Sequence, residues 1–121
     1  MKTIILVEDE HSVRELLVEF LQDLGYRIHS FETADLAWRH IRQSQHPVRL
    51  LITDLCLPGD LDGVDLVKRV RSVAPDTPIV VISGFHKNAD SLCMEDLRWL
   101  GKPFSLHSLE TVCQEILAPD W

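Results

Sequence analysis

Apolar residues along this chain fall into two alternating patterns: short unbroken runs, and longer stretches where they recur every three or four positions. Ile4-Ile5-Leu6-Val7, Leu50-Leu51-Ile52 and Ile79-Val80-Val81-Ile82 are unbroken. Runs of this length, flanked by polar or turn residues, predict strands buried on both faces, because a strand with one wet face would alternate. Tyr26 to Phe31 alternates weakly and predicts another strand, and Leu97 to Leu100 predicts a short last one. Between the runs, Val13, Leu16, Leu17, Phe20, Leu21 and Leu24 recur at helical spacing up to Gly25, a residue suited to ending a helix. Ala34, Ala37, Trp38 and Ile41 form a second helical face behind Thr33 as N-cap. Val64, Val67 and Val70 mark a third helix that ends before Pro75. Ser105 caps a last one through Leu106, Leu109, Val112, Cys113, Ile116 and Leu117. The stretch from Phe85 to Glu95 is polar and only weakly periodic.

Strands alternating with helices, several of the strands unbroken in apolar character, predict an α/β fold: a doubly wound, five-stranded parallel sheet covered on both faces. At 121 residues, with no linker, repeat or low-complexity tract, the chain is expected to form one domain spanning 1–121. No apolar run approaches the length of a membrane span. The first strand runs straight into Glu8-Asp9, unlike a signal peptide, so a cytoplasmic location without a membrane partner is the expectation. The net charge of −7, with Lys and Arg scattered along the chain, argues against direct nucleic-acid binding, which needs a basic face to displace counterions. Cys56, Cys93 and Cys113 are odd in number and form no CxxC pair, which points to reduced thiols, with Cys113 in the core. The six histidines lack zinc-ligand spacing and read as surface or cap residues.

The candidate chemistry stands at the strand ends. Glu8-Asp9 follows the first predicted strand, Asp54 ends the third, Ser83-Gly84 the fourth and Lys102-Pro103 follows the fifth. Right-handed crossovers bring the carboxyl ends of parallel strands to one edge, where open α/β sheets bind ligands. Three carboxylates would meet there with a hydroxyl and an ammonium group. Crowded carboxylates repel one another unless a cation sits among them, and an all-oxygen site with few protein groups suits Mg²⁺. A carboxylate in that setting can attack phosphorus to give an acyl phosphate, with Lys102 and Ser83 meeting the phosphoryl oxygens. The chemistry indicated is phosphoryl transfer to Asp54.

At Val7-Glu8-Asp9-Glu10, at Asp54 with Leu57-Pro58-Gly59 and Asp62-Gly63, at Ile82-Ser83-Gly84 and at Gly101-Lys102-Pro103-Phe104, the chain resembles the receiver domain of two-component response regulators. The pieces stand in the family's order and span nearly the whole chain. The resemblance implies a flavodoxin-like (βα)5 fold with strand order 2-1-3-4-5. It implies that Asp54 is the phosphoacceptor and that Asp9, Asp54 and the backbone carbonyl of Cys56 ligate Mg²⁺, with Glu8 acting through a metal-bound water. Ser83 would swing toward the phosphoryl group and Lys102 would pair with it. Lys102-Pro103 matches the family's cis peptide, and Trp99 falls where receivers keep an aromatic that changes rotamer. The implied partners are a histidine kinase or histidine phosphotransfer protein, and an unknown output protein.

The loop after Asp54 is one residue longer than the commonest receiver pattern, and a surface loop is cheap to lengthen. The path from Ser83 to Lys102 is shorter than usual, so the fourth helix is expected to be short or irregular. Phe85, two residues after Ser83, is expected to shield the phosphoryl group from water, together with Cys56. Two other functions compete. One is a receiver-like scaffold that binds partners without being phosphorylated. The other is a phosphohydrolase with an aspartate nucleophile, suggested by Asp60-Leu61-Asp62-Gly63-Val64, although Pro58-Gly59 puts that motif in a loop rather than at a strand end. In the phosphoacceptor reading the protein is not a metabolic enzyme; its own catalysis is limited to phosphorylation and dephosphorylation of Asp54.

Overall fold

The unbroken runs become strands and the periodic stretches become helices that cover them. The computed structural model describes residues 3–44, 47–84 and 97–117. Within these, β1 (Thr3–Val7), β2 (Arg27–Phe31), β3 (Leu50–Asp54), β4 (Ile79–Ser83) and β5 (Arg98–Gly101) form one parallel sheet in the order β2-β1-β3-β4-β5. The described helices are α1 (His11–Asp23), α2 (Ala34–Gln43), α3 (Gly63–Val73) and α4 (Leu106–Ile116). The segment from Phe85 to Glu95, with the short fourth helix expected there and with Phe85, His86 and Cys93, lies outside the described residues.

Alternation along each strand sorts the core into two halves. Ile4, Leu6, Leu50, Ile52, Val80, Ile82 and Leu100 pack against Leu17 and Leu21 of α1 and Leu109, Val112 and Cys113 of α4. Ile5, Val7, Leu51, Ile79 and Val81 face the other way, onto Ala34 and Ala37 of α2 and Val64, Leu66, Val67 and Val70 of α3. Full burial of a Val, Leu or Ile side chain stabilises by about 1.5–3 kcal/mol, so a strand buried on both faces has its register firmly fixed. All five residues of β3 are buried, and β3 is the middle strand. Asp54 is therefore held by the best-anchored strand in the sheet.

Local signals set the helix ends. The Thr33 hydroxyl accepts the Leu36 N–H at 3.1 Å and the Ser105 hydroxyl accepts the Ser108 N–H at 3.0 Å, as N-caps do. Gly25, at φ +98°, takes the left-handed turn after α1 that a side chain would resist. Two expectations shift. Strands β2 and β5 each begin one residue later than the pattern suggested, at Arg27 and Arg98. Leu16 is 52% exposed, because it lies about 100° around the helix from the buried Leu17 and falls off the contact stripe.

Candidate functional site

The chain leaves β1 for β2 on one side and returns to β3 on the other, so the strand order reverses between β1 and β3. That reversal opens a crevice at the carboxyl ends of the strands. Val7 pairs with Thr53, Asp54 with Ile82, and Ser83 with Gly101. The register thus sets Glu8, Asp54, Ser83 and Lys102 along one rim, as the strand-end pattern predicted.

Glu8, Asp9 and Asp54 each offer a carboxylate oxygen within 4.8 Å of the others. Glu8 and Asp54 are buried, at 2% and 6% exposure, while Asp9 is exposed. Such crowding is tolerable only with compensation, and the chain supplies part of it. Lys102 forms an ion pair with Asp54 Oδ2 and reaches Glu8 Oε1 at 3.5 Å. The Cys56 N–H donates to Asp54 Oδ1 at 3.0 Å, and the Glu10 N–H donates to Glu8 Oε2 at 3.1 Å. Arg14 in the first turn of α1 donates to the Glu8 carbonyl at 2.8 Å. Each donor fixes one carboxylate oxygen, or the backbone that carries it.

The charges respond as the surroundings require. Burial pushes the Glu8 carboxyl above its ordinary range; the Glu10 N–H and Lys102 oppose this, and Asp54 and Asp9 add to it. Burial alone would lower the Lys102 ammonium, but the hydrogen bond and charge of Asp54, with help from Glu8, outweigh it and leave the lysine raised. Burial also raises the Cys56 thiol, as does the neighbouring Asp54 charge. The carboxylates of Glu8, Asp9 and Asp54 are hard oxygen donors of the type Mg²⁺ takes, and their number leaves room for the waters that ion retains. The residues present fit the metal.

Two further parts of the rim follow from local geometry. Gly63, the first residue of α3, donates its N–H to the Leu55 carbonyl at 2.9 Å, so the helix starts against the strand end. A Cβ at this position would run into the Asp54 carbonyl oxygen and the Leu55 Cα. On the far side, the Lys102 N–H donates to the Ser83 carbonyl at 3.0 Å, and Lys102–Pro103 is cis as the resemblance implied. Trp99 sits on β5 and is 46% exposed, outside the carboxylate cluster.

Asp62 has a different task from the one its DxDxV context suggested. Its carboxylate accepts the Asp65 N–H at 3.0 Å, and the Asp65 carboxylate accepts the Asp62 N–H at 3.1 Å, a reciprocal capping box at the start of α3. Asp60 and Asp62 lie in the loop before that helix, not at the end of a buried strand. Sequence reasoning missed the Cys56 and Glu10 N–H donors and the Arg14 contact. Only Arg14 had a readable signal, as a basic residue one turn into the helix after Glu8.

Residues 4–114 match the family model of the response regulator receiver domain. The chain is 34% identical over 120 residues to the response regulator receiver protein CpdR of Brucella abortus, covering 97% of this chain and 98% of that protein. It is 35% identical over 118 residues to the transcriptional regulatory protein CssR of Bacillus subtilis, where it covers 95% of this chain and 51% of that longer protein. The structure of the response regulator TrrA of Thermotoga maritima in complex with Mg²⁺ and BeF superposes with a TM-score of 0.83 at 27% identity, covering 96% of this chain and 99% of that one.

Proposed function

From the premise that the chain belongs to the response regulator receiver family of two-component systems, we propose that it takes a phosphoryl group onto Asp54 and thereby switches a protein-binding surface. Receiver domains are signalling modules rather than metabolic enzymes, and the reading covers 1–121 as one such domain. The observation that carries it is the convergence of buried Asp54 with Glu8, Asp9 and Lys102 on one rim.

One Asp54 carboxylate oxygen attacks phosphorus of a phosphohistidine on a histidine kinase or phosphotransfer protein. The P–N bond breaks, its electron pair returns to the imidazole nitrogen, and an acyl phosphate forms on Asp54. The Cys56 N–H on Oδ1 holds the carboxylate while Oδ2 faces Lys102. Asp9, Asp54 and the Cys56 carbonyl would hold Mg²⁺, with Glu8 acting through a bound water, and the ion would supply positive charge to the phosphoryl oxygens. Lys102 exchanges its pairing with Asp54 for one with the phosphoryl group, and the Ser83 hydroxyl donates to the same group. That reorganisation pulls on β4 and β5, and Trp99 on β5 belongs to the surface that changes. The output protein and the kinase meet this surface in the cytoplasm. No helix among the described residues is long and apolar enough to cross a membrane.

Incubation with a small phosphodonor and Mg²⁺, followed by intact mass, tests the reading. Wild type gains one phosphoryl group, and Asp54→Asn gains none. Equal labelling of both, or of neither, overturns it.

A further inference from the structure

Strand β3 carries one hydroxyl in an otherwise apolar approach to Asp54. Leu50, Leu51 and Ile52 lead into Thr53, and all four are fully buried. Thr53 is registered against Val7 of β1 on one side and Val81 of β4 on the other, and both valines are buried. By strand alternation these three side chains share the face that packs on α2 and α3. Valine has the shape of threonine, so packing alone would favour a third valine here. A buried hydroxyl is costly unless it is hydrogen-bonded, and this one is: it donates to the Asp54 carbonyl oxygen at 2.8 Å.

That carbonyl opens the turn by which the chain leaves the strand. Gly63 stands against its other side, where a Cβ would collide with the same oxygen. The Gly63 N–H meets the next carbonyl, that of Leu55, at 2.9 Å. Two successive peptides are therefore pinned, the first by the Thr53 hydroxyl and the second by Gly63. The second peptide carries the Cys56 N–H, which donates to Asp54 Oδ1 at 3.0 Å.

We propose that Thr53 is a positioning residue for the phosphoacceptor. Its hydroxyl sets the peptide after Asp54, and through it both the Cys56 N–H that orients the Asp54 carboxylate and the Cys56 carbonyl that would face Mg²⁺. The inference rests on the reading of Asp54 as phosphoacceptor. Thr53 touches neither metal nor phosphorus; it acts through the backbone. Without the hydroxyl the first peptide is free to rotate, the Cys56 N–H loses its aim, and metal affinity and phosphoryl transfer fall together.

The test compares Thr53→Val, which keeps the shape and loses the oxygen, with Thr53→Ser, which keeps the oxygen and loses a methyl. Each full-length variant is titrated calorimetrically with Mg²⁺ alone, and its initial rate of labelling by a small phosphodonor is then read by intact mass. Thr53→Val lowers Mg²⁺ affinity and labelling rate about tenfold each, the lower end of what outer partners of metal ligands contribute. Thr53→Ser stays within about threefold of wild type in both, although its urea midpoint drops with the lost methyl. A packing role predicts the reverse order, with serine the worse. Thr53→Val equal to wild type, or Thr53→Ser as impaired as Thr53→Val, overturns the proposal. Should Thr53→Val not fold, Thr53→Ala replaces it, since alanine and serine differ by the oxygen alone; equal affinities for that pair refute the positioning role. Wild type that neither binds Mg²⁺ nor labels overturns the reading of Asp54 and this proposal with it, whereas the other failures leave that reading standing.

Discussion

At the carboxyl edge of the sheet three carboxylates converge with a lysine among them; at the other end two arginines and two histidines line a cleft with no carboxylate among its described lining residues. The difference lies in burial. Glu8 and Asp54 are almost wholly removed from water, whereas Arg27, His29 and Arg49 are exposed and only His40 is half-buried. Water screens the charges at the basic end, so their crowding costs little there. Little water reaches Glu8 and Asp54, and the chain must provide Lys102 and backbone N–H groups, or accept a metal. A buried cluster is costly and needs its partners supplied by the fold; an exposed one is cheap.

The largest effect comes from breaking the acidic end's geometry. Gly63→Ala places a Cβ against the Asp54 carbonyl and the Leu55 Cα, both backbone atoms that cannot swing aside. It should cost about 3 kcal/mol in urea unfolding, at the upper end of overpacking effects. Next is Lys102→Ala in the metal-free protein. Breaking a buried pair costs about 3–5 kcal/mol, but the lysine side chain is 38% exposed, so roughly 1–2 kcal/mol is expected. Because Lys102 is raised, its contribution is complete below the ordinary lysine value of 10.5 and disappears as pH climbs through the folded value. Wild type and Lys102→Ala should therefore converge in stability at strongly alkaline pH.

Glu8→Gln should act in the opposite direction. A carboxyl raised by burial contributes fully below its ordinary value of 4.5, and that contribution is lost as pH rises through the folded value. At neutral pH the charged Glu8 is thus a liability without metal, and the substitution should raise unfolding stability by up to about 1 kcal/mol. The gain should vanish below pH 4.5 and turn into a loss of Mg²⁺ affinity when the metal is titrated. The smallest effect marks the contrast: Arg27→Gln, at an exposed position, should change stability by no more than about 0.5 kcal/mol. A stabilisation as large as that of Glu8→Gln would show that burial is not what separates the two ends.

Much of the acidic end was legible because strand and chemistry share one signal. An unbroken apolar run followed by an acid specifies a buried strand and the edge at which its acid emerges, as Leu50 to Asp54 illustrates. The donors that tune those acids were not legible. The Cys56 and Glu10 N–H groups act through backbone geometry that no side chain announces. The basic end was hidden for a different reason: Arg27 and His29 stand on β2, His40 on α2 and Arg49 just ahead of β3, far apart in sequence until the fold brings them to one cleft. Likewise the exposure of Leu16 depends on where α1 meets the sheet, which helical periodicity alone does not fix.

The central claim is that Asp54, among the acids near this rim, is the nucleophile. Reductive trapping of the acyl phosphate with borohydride, followed by peptide mass mapping, reads the position directly. The account predicts a single modified residue, Asp54, in the presence of phosphodonor and Mg²⁺, and none when Mg²⁺ is chelated. Modification at Asp9, Asp60 or Asp62, or at Asp54 without any need for Mg²⁺, would contradict it.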